Sequence, residues 1–157
     1  MTFTRKAQVA LAAAAAAAPL ALALPAQAST TTGLCTVTPW APFFDHLDST
    51  GQKVITYGTT VYCPSDRSIE IQDQRWDDDT SDFIPSADDP HGITTYTITF
   101  TSTSVVYESA ARTLPDSDPW GDDNEEMYHS VRFRVTSNGV TSPWTAWENS
   151  PVTSFHL

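Results

Sequence analysis

Cationic side chains are scarce in this sequence. The 157 residues include 8 Lys and Arg against 19 Asp and Glu, and two of the cations, Arg5 and Lys6, lie near the N-terminus. Residues 29–157 therefore hold six cations and 19 acids, a formal charge of −13. A charge of this size repels the phosphates of nucleic acids and the headgroups of anionic lipids. Neither nucleic acid nor membrane is expected as a partner.

Long apolar runs are absent after residue 28. The one such run extends from about residue 7 to residue 24, follows the two N-terminal cations, and leads to Ala26-Gln27-Ala28, a small-x-small cleavage site. This pattern predicts a signal peptide over residues 1–28 that is removed on export, rather than a membrane anchor. Residues 29–157 fit a single domain, and we expect that domain to be secreted.

Cysteine is rare, since Cys35 and Cys63 are the only two. In an exported chain, two cysteines predict one intramolecular disulfide. That disulfide closes a loop of some 29 residues, which the chain-entropy model values at about 3.6 kcal/mol. Neither cysteine lies in a CxxC pair or has a histidine at zinc-ligand spacing, so a structural role is favoured over a reactive or metal-binding one.

Recognisable catalytic motifs are also missing. The sequence has no HExxH, GxSxG, P-loop or glycine-rich dinucleotide motif. The many loop carboxylates give no way to single out a glycosidase pair. We therefore interpret the four histidines as surface or edge-strand residues and the protein as non-catalytic; they are His46, His91, His129 and His156.

Strand patterns are abundant in the rest of the chain. Residues 53–63 are rich in Val, Ile, Thr and Tyr, with a bulge or kink expected at Gly58, and residues 93–107 alternate with a break expected near 102–104. Near the C-terminus, Val131, Phe133 and Val135 share one face, and Asn138-Gly139 predicts a type I′ hairpin turn. These patterns predict an all-β fold, a single antiparallel β-sandwich with one disulfide and long acidic loops.

The last 30 residues contain a recognisable order of aromatic and cationic side chains: Tyr128, Arg132-Phe133-Arg134-Val135, then Trp144-Thr145-Ala146-Trp147-Glu148. This order resembles the end of a fibronectin type III or immunoglobulin-like module, and more narrowly the Tyr…Arg-x-Arg strand and WSxWS motif of cytokine receptors. Both serines of that motif are replaced here. The resemblance implies a structural cation–π ladder formed by Arg132, Arg134, Trp144 and Trp147.

Thirteen of the 19 carboxylates lie in two polar, proline-containing segments, 73–89 and 116–126. One interpretation is a solvated surface that keeps a secreted protein in solution. A second is a docking surface for a basic partner, formed by Trp76, Trp120, Asp118, Asp122 and Asp123. A third is calcium bound by carboxylates, although not in an EF-hand, which needs glycine where Asp82 stands; the ligands would be Asp77, Asp79, Asp82 and Asp88.

The sequence therefore favours a secreted, non-catalytic binding module, an adaptor or subunit of a larger extracellular assembly. Its expected partner is another secreted protein with a basic surface. Two alternatives remain open. One is a calcium-dependent carbohydrate-binding or carbohydrate-active protein that stacks sugars on Trp40, Trp76 and Trp120; the other is a secreted inhibitor that presents a rigid loop. No cofactor is expected apart from calcium in the first alternative.

Overall fold

The computed structural model describes residues 29–78, 88–114 and 124–156, so the predicted signal peptide over 1–28 lies outside the described residues. The described residues form strands joined by turns and contain no helix, hence none that could cross a membrane. The strands are β1 (Thr30–Thr32), β2 (Cys35–Pro39), β3 (Phe43–Leu47), β4 (Lys53–Cys63), β5 (Arg67–Asp77), β6 (Asp89–Phe100), β7 (Ser104–Thr113), β8 (Asn124–Ser137), β9 (Val140–Thr141), β10 (Glu148–Asn149) and β11 (Thr153–His156).

Every pairing between strands is antiparallel, and the strands form two sheets. In the first sheet, β4 is central: β7 pairs along one edge, while β2 and β3 share the other edge and β1 continues beyond β2. In the second sheet, β5 lies between β6 and β8, and the short strands β9, β10 and β11 follow one another along the far edge of β8. The predicted all-β antiparallel fold is confirmed.

The apolar core lies between the two sheets. Val37 and Val61 from the first sheet pack in one cluster with Ile71, Phe133 and further apolar residues from the second. The inward alternation expected of residues 131, 133 and 135 is confirmed, because all three are almost fully buried in this cluster. The two sheets are thus the layers of a β-sandwich.

The predicted disulfide between Cys35 and Cys63 is present. Both residues are completely buried and belong to the apolar cluster. The bond ties β2 to the end of β4 within the first sheet and therefore staples two neighbouring strands rather than the two layers.

A predicted turn and a predicted strand break are confirmed by the backbone. Asn138 and Gly139 have φ angles of +50° and +76°, as a type I′ turn requires, and they join Ser137 to its partner Val140. The predicted break near 102–104 is also present, since β6 ends at Phe100 and β7 begins at Ser104.

The bulge predicted at Gly58 is wrong. β4 pairs with β7 from Val54 to Cys63 without a register shift. A glycine inside a strand also permits another group to approach the backbone closely, and the space above Gly58 is occupied by the ring of Trp40.

The interior becomes polar toward the end of the sandwich where β5 ends and β8 begins. Inner positions on these strands carry Asp73, Asp77, Glu125 and His129, each with 6% or less of its surface exposed. The prediction of a surface or edge-strand position is therefore wrong for His129, which is completely buried on a strand paired along both edges. Nearby hydrogen-bonding or charged partners offset the free-energy cost of burying these polar groups.

Candidate binding surface

Trp40 is seated flat against the outer face of the first sheet. A β-carbon added to Gly58 would lie 2.5 Å from Cε3 of the Trp40 ring, so glycine is required for the ring to lie there. The backbone N–H of Trp40 donates to the Gly58 carbonyl at 2.8 Å, and its indole Nε1–H donates to Thr60 Oγ1 at 2.8 Å. The backbone and both ends of the side chain are thus fixed to β4.

Further aromatic and apolar side chains share this outer face. Cross-strand partners point to the same side of a sheet, and the register places Tyr107 opposite Thr60, Val105 opposite Tyr62, and Phe43 opposite Thr56. The Trp40 and Tyr107 rings lie 5.7 Å apart. We call this surface the aromatic face; its members are Trp40, Phe43, Tyr62, Val105 and Tyr107.

The aromatic face is open to solvent. Tyr107 is 68% exposed, Val105 48%, Phe43 45% and Tyr62 40%. Isolated exposed apolar residues are ordinary, but a contiguous group on one face is typical of an interaction site. Tyrosine and tryptophan are also the residues most enriched where proteins bind each other.

A buried polar pair beneath the sheet anchors this surface. His129 Nε2 lies 2.9 Å from the Trp40 carbonyl oxygen, and His129 Nδ1 lies 2.9 Å from Asp73 Oδ1. The Tyr57 ring packs edge-on to the imidazole with centroids 5.6 Å apart. The main chain of the residue at the centre of the aromatic face is therefore held from inside the sandwich by a side chain of the other sheet.

The hydrogen bonds of this pair fix its proton count. A carbonyl oxygen only accepts, so Nε2 carries a proton and donates it to Trp40. Nδ1 faces a carboxylate, and two lone pairs at 2.9 Å would repel each other, so a second proton lies between His129 and Asp73. The pair is neutral overall with either assignment of that proton, which is why it tolerates complete burial.

Tyr57 makes the interior sensitive to alkali. Burial raises the pKa of its hydroxyl well above the ordinary value of about 10; the positive charge of Arg75 opposes this shift, and the negative charges of Asp73 and Asp77 add to it. The folded protein therefore keeps a proton that the unfolded chain releases. The stabilisation is complete below about pH 10 and is lost above it, by about 1.4 kcal/mol per pH unit for one such group.

We expect Tyr57→Phe to make this alkaline decline less steep, by the share of one of the three tyrosines whose pKa burial raises, Tyr57, Tyr96 and Tyr128. Denaturant unfolding of the wild type and the variant at a series of pH values from about 8 to 11 measures the difference. Tyr107→Phe is the matched control, because Tyr107 is 68% exposed. A wild-type decline that persists unchanged in Tyr57→Phe would contradict the assignment.

Of the five residues predicted to bind a partner, the structure describes one, Trp76. Trp76 stacks on Tyr128, with ring centroids 6.2 Å apart and planes inclined by 10°, and Tyr128 donates its hydroxyl to Asp88 Oδ2 at 2.5 Å. One face of the Trp76 ring is thus occupied by its own protein. The remaining predicted residues lie outside the described residues; they are Trp120, Asp118, Asp122 and Asp123.

Of the four predicted calcium ligands, two are described. Asp77 is buried on β5, with Oδ2 3.9 Å from His91 Nε2, while Asp88 accepts the Tyr128 hydroxyl. Asp79 and Asp82 lie outside the described residues. Within the ranges that the structure describes, no three His, Cys, Asp or Glu residues are grouped so that they could hold a metal ion.

The cation–π ladder has the geometry that the sequence pattern indicates. The Arg132 guanidinium lies 4.5 Å from the Trp147 ring centroid and 5.1 Å from that of Trp144, and the Arg134 guanidinium lies 4.8 Å from Trp144. Gln72 and Glu70 on β5 accept hydrogen bonds from the two arginines at 2.7 Å. These contacts fasten the irregular segment 142–147 to β8 and leave the ladder a structural feature of the second sheet.

Sequence reasoning missed most of the aromatic face. Trp40 was expected only as a sugar-stacking residue, and Phe43, Tyr62, Val105 and Tyr107 were not singled out. One usable signal was present: Val105, Val106 and Tyr107 are consecutive, so both faces of β7 carry apolar side chains there. A strand of a two-layered sandwich buries only one face, so the other set remains exposed.

No protein-family model matches the chain, and no curated protein matches its sequence.

Proposed function

We propose that this chain is an exported, non-catalytic binding module, an adaptor or subunit of an extracellular assembly, and that it contacts its partner through the aromatic face. The observation that carries this proposal is the exposure of Tyr107, Val105, Phe43 and Tyr62 around the fixed ring of Trp40. The N-terminal pattern over residues 1–28 and the buried disulfide support export.

The charge of the chain favours a basic partner over a second copy of itself. Residues 29–157 carry a formal charge of −13. Two copies brought face to face repel each other, whereas a basic surface is attracted and steered into contact. The partner is therefore a secreted protein that presents positive charge around an apolar centre.

The shape of the aromatic face favours protein over carbohydrate. A straight saccharide chain that spans two aromatic rings stacks best when the rings are coplanar, but the Trp40 and Tyr107 rings are inclined by 51°. Tilted rings form a notch that accepts an irregular side chain, as in the well-packed centres of protein interfaces. The aromatic face thus supports the adaptor more than the sugar-binding alternative.

Gly58→Ala tests the proposal without removing any contacting side chain. The added methyl group collides with the Trp40 ring at 2.5 Å and forces it off the sheet. We expect the affinity for the partner, once captured from the native secretion medium and identified, to fall by at least about 2 kcal/mol of binding free energy.

Ser109→Ala is the matched control for Gly58→Ala. Ser109 is the cross-strand partner of Gly58 and is exposed, so its replacement leaves Trp40 in place. Titration calorimetry with the identified partner measures both variants. Equal affinities for Gly58→Ala and wild type, with the Trp40 indole resonance displaced in the variant, would remove the aromatic face from the interface.

A further inference from the structure

A cavity of about 350 Å³ opens at the polar end of the sandwich. Its wall is formed by side chains from five strands, β4 to β8, and a volume of this size is typical of small-molecule sites. The lining residues are Tyr57, Arg75, His91, Arg112, Thr113 and Met127. The cavity is separate from the aromatic face, which lies on the outer side of the first sheet.

Two arginines converge on this cavity. Arg75 donates from Nη1 to Thr94 Oγ1 at 3.3 Å and from Nη2 to the His91 carbonyl at 3.0 Å, and Arg112 donates from Nη1 to the Ala111 carbonyl at 2.7 Å. Among the residues that the structure describes, no carboxylate pairs with either guanidinium. Several N–H donors of each therefore remain for a ligand.

The backbone makes room for this arrangement. Gly92 has a φ of +97°, and a β-carbon there would lie 3.2 Å from Arg75 Nη2. A glycine with positive φ lets β6 begin close against the guanidinium.

The electrostatics of the cavity favour an anion. Burial lowers the pKa of Arg75 and the positive charge of Arg112 lowers it further, while the negative charge of Asp73 opposes both effects; the net shift is downward. A bound anion relieves both effects. Two carboxylates lie near the cavity and offset part of this positive charge: Asp73 is bonded to His129, and Asp77 Oδ2 lies 3.9 Å from His91 Nε2.

Two further polar groups line the cavity beside the two arginines. The raised pKa of Tyr57 keeps its hydroxyl protonated and able to donate at any ordinary pH. His91 Nε2 is buried without a hydrogen-bond partner among the described residues. A buried polar nitrogen left unpaired costs free energy that a bound acceptor recovers.

The remaining wall is apolar, so the cavity suits an organic acid, whose carbon skeleton contacts this wall, better than a bare inorganic ion. Met127 is completely buried, and only 2% of the Tyr57 surface is exposed. We propose that the cavity binds a small organic carboxylate, whose oxygens are held by Arg75 and Arg112 and whose apolar body contacts Met127 and the Tyr57 ring. Bidentate guanidinium–carboxylate pairing gives this site its directionality.

A benzoate titration of the full chain, followed by NMR, tests the site. The sequence has 2 methionines, Met1 and Met127, and Met127 lines the cavity, so its methyl resonance is an assignable reporter. We expect benzoate to shift that resonance saturably at constant ionic strength. Acetate, which lacks the apolar body, and benzyl alcohol, which lacks the charge, should each bind about tenfold more weakly or worse.

Variants distinguish the cavity from other sites. Arg112 is exposed and makes one hydrogen bond to its neighbour's carbonyl, so Arg112→Gln leaves the fold intact and should weaken benzoate binding about tenfold to a hundredfold. Arg112→Lys should recover part of the affinity. Arg67→Gln is the control, because Arg67 lies at the opposite end of β5 and bonds to the Gly33 and Ser65 carbonyls.

Three results would overturn the proposal. The first is a Met127 methyl resonance that benzoate does not shift beyond a matched sodium chloride series. The second is a benzoate affinity that is equal in Arg112→Gln and wild type. The third is inorganic phosphate binding as tightly as benzoate, which would assign the cavity to a bare oxyanion.

Discussion

Replacement of His129 by leucine is expected to lower the free energy of unfolding by about 3–5 kcal/mol. Leucine fills a similar volume but donates to neither acceptor, so the Asp73 carboxylate and the Trp40 carbonyl lose their partners inside the sandwich. A buried carboxylate without a partner is among the most destabilising features that one substitution can create. Urea unfolding at neutral pH measures the loss.

Two further variants show whether the pair itself is responsible. His46→Leu is the control for loss of a histidine, because the His46 side chain is 57% exposed, and it should change stability by less than about 0.5 kcal/mol. The double variant Asp73→Leu/His129→Leu should be more stable than His129→Leu alone, since it removes the stranded charge. A double variant as unstable as the sum of the single ones would contradict the coupling.

Loss of the disulfide is the second large effect that we expect. The double variant Cys35→Ala/Cys63→Ala should lose about 3.6 kcal/mol through the added freedom of the unfolded chain. Both cysteines are completely buried in the apolar cluster, so the missing sulfur atoms add a packing loss to this figure.

Unfolding in urea with and without a reductant separates these two contributions. Reduction of the wild type opens the loop and keeps the sulfur atoms, whereas the alanine variant loses both. We therefore expect the order wild type, reduced wild type, alanine variant, from most to least stable. Equal stability of oxidised and reduced wild type would show that the cross-link does not contribute.

The part of the fold that was predictable from sequence is the part governed by local rules. Val131, Phe133 and Val135 alternate with polar residues, and such a strand buries one face whatever surrounds it. Asn138-Gly139 fixes the hairpin because few residues adopt positive φ at low cost. The disulfide followed from two cysteines in a chain with a predicted export signal.

The features that sequence reasoning missed depend on register between distant strands. His129 continues the inward parity of β8, yet only its pairing opposite Arg75 and its reach to Asp73 and Trp40 explain how a histidine is buried there. Gly58 was interpreted as a bulge or kink in β4, because a glycine that seats a ring and one that forms a bulge look the same in sequence. The roles of His129 and Gly58 both depend on partners that are distant in sequence.

At the candidate site, too, contacts between residues close in sequence were predictable and contacts between distant strands were not. The cation–π ladder joins residues close in sequence, and its order along the chain was enough to indicate the contacts. The aromatic face draws Trp40 from the segment after β2, Tyr62 from β4 and Tyr107 from β7, and only the pairing of β4 with β7 brings them together. The cavity likewise forms only when the two sheets pack together, because Arg75 comes from the second sheet and Arg112 from the first.

The most direct test of the proposed function is side-chain footprinting of the complex with the identified partner. Hydroxyl radicals oxidise exposed aromatic side chains, so protection of a ring marks contact. We expect the partner to protect Tyr62 and Tyr107 and to leave Trp147, 37% exposed on the second sheet, unchanged. Oxidation of Tyr107 that is the same with and without the partner, together with protection of Trp120, would contradict the aromatic face and assign binding to the acidic segment 116–126.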